Sequence, residues 1–373
     1  MDQGAIKTEV LVAGGGPAGL AAAIAIRLKG FEVTLADPAQ PPIDKACGEG
    51  IMPAGVAALR QLGVVITAAD SQPFRGICFR GCEAAVAADF PRDCGLGVRR
   101  TALHRLLSQR AAELGVSMLW NTRVMSTASK AVSINGQPIH CKWLIAADGQ
   151  NSSLRRWAGL DSACQRGERR FAFRRHFRAN PWSDYVEVHW GKASQVFVTP
   201  VGPDEVCVSL MSQNAHTRLE SEIPKFLYLA GRLKGSLPTS PERGSLSANL
   251  TAPAVIRDGI ALVGDASGSI DAISGEGLCF AFQQAICLAE ALAQNNPAYY
   301  QEAHRRITGF SSVMASLMVA MGKHSLIRRR VLRGLSSEPR IFDRLLALHV
   351  GALTPGDFGM RGVFDLGWRV LTA

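Results

Sequence analysis

Residues 10–19 read Val-Leu-Val-Ala-Gly-Gly-Gly-Pro-Ala-Gly, an apolar β-type run that breaks into glycines and resumes as an Ala/Ile/Leu helix pattern over 17–29. A second β-type run follows at 31–36. A strand, a tight glycine turn, a helix and a second strand form a βαβ unit, and such a unit commits its strands to a parallel sheet. Gly14, Gly16 and Gly19 fall on the GxGxxG spacing inside it. Gly14 permits the tight turn, Gly16 lets backbone approach a pyrophosphate, and Gly19 lets helix pack on strand. Pro17 suits the first helical position, and the turn that it and Ala18 open offers unpaired N–H groups to an anion. Asp37, at the end of the second strand, is placed to accept hydrogen bonds from an adenosine ribose.

The stretch 10–26 is almost entirely apolar, the composition of a signal core or membrane span. Four glycines and a proline inside it, with no basic leader and no small-residue cleavage pattern, argue against both. At 373 residues and 47% hydrophobic composition the chain can bury two domains or one large one with an inserted layer. Its formal charge of +10 favours anionic partners such as nucleotide phosphates or acidic lipid. The arginines at 166, 169, 170, 174, 175 and 178 form a basic stretch, but no recognition motif accompanies them, so no nucleic-acid partner is expected. The nine cysteines include no CxxC pair and no Cys/His cluster at zinc spacing. A reduced, cytoplasmic protein without a metal site is therefore expected.

Beyond the βαβ unit, a helix pattern at 101–114 leads into short alternating segments at 116–120, 124–125, 132–134 and 139–147, with Asn135-Gly136 as a hairpin signal. This reads as a β-meander returning to the sheet. Between 169 and 212 the pattern becomes antiparallel, and along 185–190 Val186, Val188 and Trp190 share one face while Tyr185, Glu187 and His189 share the other. Such a sheet suits the floor or lid of a pocket. A buried strand at 260–263, a helix at 276–293 and a helical remainder with Arg328, Arg329, Arg330 and Arg333 complete the chain. The expected fold class is α/β (α+β), with a Rossmann-like domain of parallel sheet and β-meander, an antiparallel-sheet substrate domain and C-terminal helices. The division is 1–72, 95–165 and 250–300 for the nucleotide domain, 73–94 and 166–249 for the substrate domain, and 301–373 for the helices.

Two later segments, AADGQNSSLRRWAGL at 146–160 and IALVGDASGSIDAISGEGLCFAFQQA at 260–285, resemble the DG and GD fingerprints of a large flavoprotein family. That family includes para-hydroxybenzoate hydroxylase and geranylgeranyl reductase, and with the glycine turn the three fingerprints stand in its order over residues 8–285. The resemblance implies FAD as cofactor. It carries over Asp265 to the ribityl chain with Gly264 clearing space, Asp148 and Gly149 as the DG pair, and Arg100 in GVRRTALHRLL as an FAD-contacting arginine. Gly275, Glu276 and Gly277 open the next helix toward the flavin, where its dipole would face developing negative charge. The loop DKACGEGIMP at 44–53 becomes a flavin-side wall: Cys47 and Gly48 lie beside the ring, and Gly48 and Gly50 permit positive φ and close approach. Cys47 is a candidate catalytic thiol or a packing residue, and Glu49 a candidate acid or base. No second GxGxxG is present, so NAD(P)H is expected to visit transiently as reductant.

The chain lacks the His and Pro-Pro-x-Gly-Gln-Gly that aromatic hydroxylases carry after the GD motif, and its Gly-Glu-Gly leans toward the reductase branch. Its QVFVTPVG segment, however, lacks the aromatic Tyr-x-Trp-x-Phe-Pro strand usual in geranylgeranyl reductases. The expectation is an NAD(P)H-driven FAD monooxygenase acting on a largely apolar small molecule, aromatic ones included. A carbon–carbon double-bond reductase is the alternative and a non-catalytic lipid-binding module a remote one. Phe173, Phe177, Trp190 and Phe197 are candidate pocket residues, and His176 and His189 candidate bases. The apolar 313–321 stretch followed by Lys323 and the arginines suggests weak peripheral contact with an anionic membrane, against the plainer reading of a core helix followed by a solvated basic one.

Overall fold

The structure, a computed structural model, describes residues 6–82, 84–126, 132–161, 165–354 and 356–359. Strands Val10–Ala13 and Val33–Ala36 flank helix Pro17–Leu28 and are buried along their whole length, as parallel strands covered on both faces must be. The parallel sheet runs in space Ile260–Leu262, Trp143–Ala146, Val10–Ala13, Val33–Ala36, Ser117–Leu119, with Ile256–Arg257 antiparallel at its edge. Its glycine turn therefore sits at the carboxyl ends of strands that come from three distant parts of the chain. Helices Arg100–Glu113 and Gly277–Ala293 pack against Pro17–Leu28.

The expected meander forms, with one difference. Gln137–His140, Val132–Ile134 and Val124–Ser126 pair with one another and with Ile6–Lys7 in a separate four-stranded sheet, and only Trp143–Ala146 rejoins the parallel one. Asn135 at φ 49° and Gly136 at φ 83° make the left-handed pair of a two-residue hairpin turn.

An eight-stranded sheet supplies the second layer, in the order Gly268–Ser269, Arg243–Thr251, Gln165–Arg178, Glu205–Ser212, Ser194–Gly202, Tyr185–Trp190, Gly76–Arg80, Ala85–Asp89. Only the Tyr185–Trp190 and Gly76–Arg80 pair is parallel. Strict alternation divides it into faces. Phe173, Phe177, Val196, Val198, Val208 and Leu210 form a cluster with Leu219, Leu229 and Leu233 on one side. On the other, Ile77, Phe79, Val188 and Trp190 pack against Met318, Val331 and Phe342 of the C-terminal helices.

Those helices are Pro297–Lys323, Ser325–Ser337 and Pro339–His349. The first and third begin with proline in the first turn, where a missing N–H costs nothing, and Asn296 caps the first by accepting from Tyr299 N. The first two meet at a bend of 117°. Among the described residues no single helix is long and apolar enough to cross a membrane. Within the region 301–373, residues 355 and 360–373 lie outside those described.

Candidate functional site

The glycine turn is built to near-atomic tolerance. Gly14 donates its N–H to Ala36 O (2.8 Å) and takes φ 119°, and a Cβ there would fall 2.3 Å from Ala147 O. A Cβ on Gly19 would fall 1.8 Å from Gly14 O, so helix and turn are in backbone contact. Gly16 faces open space instead: nothing lies within 4 Å of where its side chain would stand. Asp37 ends its strand by accepting from Gly15 N (2.6 Å) through one oxygen and Ala39 N (2.7 Å) through the other. From the far side the buried His104 donates from Nε2 to Gly15 O (3.0 Å), and burial keeps its imidazole below the usual histidine range.

Two more loops meet the turn. Asp148 accepts through Oδ2 from Ser153 N and Leu154 N, capping a short helix, while its buried Oδ1 has no protein partner. Gly149 leaves open space beside it. Gly264, at φ 63°, donates to Gln284 Oε1 (2.8 Å), and Ser267 Oγ donates to Gly264 O (2.8 Å) while accepting from His304 Nε2 (2.9 Å). Asp265 projects toward Lys45 Nζ, 3.4 Å away. Arg155, lying in the quoted DG segment but not singled out there, is fully buried and bonds Asp161, Ala266 O and Gln150 O, tying the DG loop to the GD loop. Gly275 takes φ 70°, and Gly277 opens helix Gly277–Ala293 with free space in front of it.

Glu276 differs from the expectation of a cofactor contact. Its side chain is buried against the C-terminal helices, Oε2 standing 3.5 Å from His349 Nδ1, because the left-handed turn at Gly275 directs it away from the cavity. His349, which no sequence signal marked, donates from Nε2 to Ser274 O (3.2 Å) and lines the cavity, and burial pushes its imidazole down to about 4.

The loop at 44–50 carries the densest chemistry. Positive φ was expected at Gly48 and Gly50, but the residue that adopts it is Glu49, at φ 60°. A side chain held from three directions over-determines that backbone. Glu49 is 1% exposed; its Oε1 accepts from Arg100 N (2.9 Å) and lies 3.7 Å from Arg174 Nε, and its Oε2 accepts from His176 Nε2 (2.6 Å). The histidine's tautomer follows from its other side. Nδ1 accepts from Arg174 Nη1 (3.2 Å) and from Ser240 Oγ (2.8 Å), a hydroxyl that itself accepts from His176 N, so the ring hydrogen is on Nε2. Arg174 also pairs with Asp44, which fastens the loop's start to the sheet. Ser209 Oγ donates to Cys47 O (3.2 Å), and Cys47 Sγ accepts from Glu49 N (3.3 Å). The buried Cys207 Sγ lies within 4.8 Å of the Glu49 and His176 ligand atoms. Burial, then the Glu49 carboxylate, hold its thiol well above the usual range, and Arg174 beside the carboxylate leaves little attraction for a cation.

Much of this borders one cavity of about 1220 Å³, with His176 and Cys207 behind Glu49 and outside its lining. Gly14, Gly16, Pro17, Ala18, Asp37, Cys47, Gly48, Glu49, Arg100, Asp148, Gly149, Gly264, Asp265, Gly275 and Gly277 line one half. The other half is walled by Val186, Val188, Phe197 and Met211 from the sheet and by Met318 and Leu346 from the helices. Of the four expected pocket aromatics the structure brings Phe197 to this wall. Phe173 and Phe177 both belong to the cluster on the sheet's other face, and of the two Phe173 also borders the cavity while Phe177 does not. Trp190 has the right face but packs edge-on against Phe79 (5.6 Å, 85°) and stops short of the cavity. His189 points to the opposite face, hydrogen-bonded to Glu187 (3.0 Å) and stacked near Tyr228, and so cannot reach a substrate.

The open space at Gly16, Gly149 and Gly277 and the buried, unpartnered Arg100 Nε and Asp148 Oδ1 fit a large nucleotide cofactor with hydrogen-bonding groups along its length. A family model described as FAD binding domain matches residues 7–221. The menaquinone reductase of Mycobacterium tuberculosis strain H37Rv is 27% identical over 316 residues, covering 77% of this chain and 76% of that protein. A digeranylgeranylglycerophospholipid reductase of Methanothrix thermoacetophila is 25% identical over 306 residues, 77% and 78% of the two chains. Relatives named as monooxygenases match 40% and 55% of this chain. Among solved structures, a flavoprotein/dehydrogenase from Cytophaga hutchinsonii superposes over 98% of both chains with TM-score 0.81 at 18% identity, a likeness of fold.

Proposed function

Because the chain belongs to the FAD binding domain family, an FAD-dependent oxidoreductase family, we propose that it reduces a carbon–carbon double bond in a long, apolar, isoprenoid-type molecule. The observation that carries this reading is the cavity's second half, an apolar channel of sheet and helix side chains that continues directly from the nucleotide cradle past a buried acid. The resemblance over three quarters of the chain to reductases named for a quinone and a geranylgeranyl lipid supports it.

In this reading the turn 14–19 and the first turn of Pro17–Leu28 hold the cofactor's pyrophosphate and Asp37 its ribose, while Asp265 serves the ribityl chain. Arg100 Nε and Asp148 Oδ1 find the partners that they lack. FAD, when bound and reduced by a nicotinamide, supplies two electrons as a hydride equivalent to one alkene carbon. The other carbon must take a proton, and this chain's residues provide a path for it. The His176 Nε2 hydrogen faces Glu49 Oε2 at 2.6 Å, and Glu49 lines the cavity. As Glu49 protonates substrate it draws on the His176 Nε2 hydrogen, and His176 takes one at Nδ1 from Ser240 Oγ, which recovers its own from solvent because Ser240 is half-buried. Arg174 and the Arg100 N–H hold the carboxylate in place throughout. The product gains two hydrogens, one as hydride and one as proton.

An anaerobic single turnover of reduced holoenzyme with a polyprenyl quinone tests this. A product heavier by two hydrogens supports the reading. A product that forms only in air and carries one added oxygen atom transfers the assignment to the hydroxylation expected from the sequence, and no product under either condition removes both.

A further inference from the structure

We infer that the cavity mouth docks on an anionic lipid bilayer, through a surface shared by the start of helix Ser325–Ser337 and helix Leu227–Arg232. The inference rests on the apolar-substrate reading above for its purpose, but on separate observations for its support. Ile327 belongs to both the apolar channel and the surface: it lines the channel and is 38% exposed. Its neighbour Leu326 is 71% exposed, in the first turn after the 117° bend between Pro297–Lys323 and Ser325–Ser337. Adjacent exposed aliphatic side chains that continue into an apolar channel form a contiguous patch of the kind that meets something apolar.

A second helix presents the same chemistry at the same end of the sheet. Leu227 is 85% exposed and Tyr228 39%. The hairpin between Tyr185–Trp190 and Ser194–Gly202 lies between the two helices: a Cβ on Gly191 would stand 2.6 Å from the Phe226 ring, and one on Gly322 2.9 Å from Gln195 Nε2. The Arg80-Gly81 corner joins them again, since Arg80 lies over the Tyr228 ring (4.3 Å) and Gly81 abuts Leu332. The two helices thus flank the same end of the sheet, one on each face.

The charges decide what they meet. Helix Ser325–Ser337 carries Arg328, Arg329, Arg330 and Arg333 and no acid, and Leu227–Arg232 carries Arg232 and no acid. Arg329, Arg330 and Arg333 are exposed. Leucine tips within a rim of guanidinium groups complement a surface that is anionic at its face and hydrocarbon beneath, with arginine stems spanning the boundary. An aqueous protein partner would have to bury the leucines and match five arginines at once, whereas a bilayer does both without a shaped counterpart. A substrate dissolved in the bilayer would pass Ile327 into the channel without crossing water.

The test is co-sedimentation of FAD-loaded protein with vesicles of phosphatidylcholine, with and without phosphatidylglycerol, at low and physiological salt. The expected result is binding to the anionic vesicles, weaker at physiological salt, and reduced about tenfold or more both in Leu326→Asp and in Arg329→Gln/Arg330→Gln. Both variants should keep their flavin absorbance and their turnover of a short, water-soluble isoprenoid, which shows them folded. Absence of binding at low salt, or binding that either variant leaves unchanged, overturns the inference. The two readings separate cleanly. Vesicle binding without reduction of any isoprenoid, even in detergent, leaves the docking surface standing and removes the reductase; reduction in detergent without vesicle binding does the reverse.

Discussion

The cavity's two halves are made of different materials. The nucleotide half is chiefly a backbone structure: Gly14, Gly19 and Gly264 sit where a single added carbon meets a carbonyl or a neighbouring Cβ at 1.8 to 2.5 Å. The apolar half is a side-chain structure, with Met211, Met314, Met318 and Met321 among its walls. Methionine is unbranched and adapts to what it touches. One half therefore recognises a fixed ligand and tolerates almost nothing, and the other accommodates a class of shapes and tolerates a good deal.

The largest expected effect lies at the rigid end. Gly14→Ala places a side chain at φ 119° and against Ala147 O, so the purified protein should be colourless and take up no added FAD by absorbance or calorimetry. A yellow Gly14→Ala protein would mean that the turn is as adaptable as the channel, and the contrast would fail. At the junction of the halves, Glu49→Gln keeps the size and most hydrogen bonds but cannot relay a proton. Turnover should drop roughly a hundredfold or more while FAD retention stays within about threefold. Equal losses in both would reduce Glu49 to a brace for Arg100 and the loop.

An intermediate effect comes with acid. Burial, then Arg305, push His304 down to about 4, below its ordinary value of 6.5, so in the interval between these the unfolded chain binds a proton that the native one refuses. Stability should therefore rise with pH from about 4 to 6.5 and level off above; His304 accounts for on the order of 2 kcal/mol of the loss between about pH 7 and pH 5, and His349, pushed down by burial to about 4 as well, adds a similar amount. Because His304 steadies Ser267 and through it Gly264, flavin release should begin before global unfolding. Urea midpoints and flavin fluorescence across this range will show it; a flat profile would free the GD loop from dependence on the helix beneath it.

The smallest effects are expected where the walls are soft. Met318→Leu conserves volume and should cost less than about 1.5 kcal/mol by denaturant melt, with FAD affinity unchanged. Cys47→Ser should leave FAD bound and alter turnover less than about tenfold, since the thiol accepts one hydrogen bond from Glu49 N that an oxygen can also accept. A larger loss with normal flavin reduction would make Cys47 a reacting group.

This difference in material also governs what could be read from the chain beforehand. Backbone sites need glycine at fixed spacing, so the turn at 14–19 and the DG and GD loops stand out in one dimension, and the parallel sheet follows from them. The channel is drawn from 77–79, 186–188, 197, 209–211 and 314–346, each of which alone is ordinary strand alternation or helix amphipathicity. Strand alternation correctly separated Val186 and Val188 from Glu187 and His189, yet it could not say that Trp190 would be claimed by Phe79 before reaching the cavity. The Glu49 and His176 contact joins residues 127 positions apart, and Arg174, the cation that makes a buried carboxylate tenable there, looked like one more surface arginine in a basic run.

The order of strands in the parallel sheet has a consequence for how this protein is made. Trp143–Ala146 wedges between Val10–Ala13 and Ile260–Leu262, so a ribosome that has delivered the glycine turn must add some 250 more residues before the opposite wall of the same cradle exists. Contacts of such sequence separation close slowly, and the nascent chain carries a bare apolar βαβ unit meanwhile. Cofactor capture is then a late event in biosynthesis, one that reports completion of the chain, and cells short of riboflavin should accumulate a full-length but loosely closed form that proteases find first.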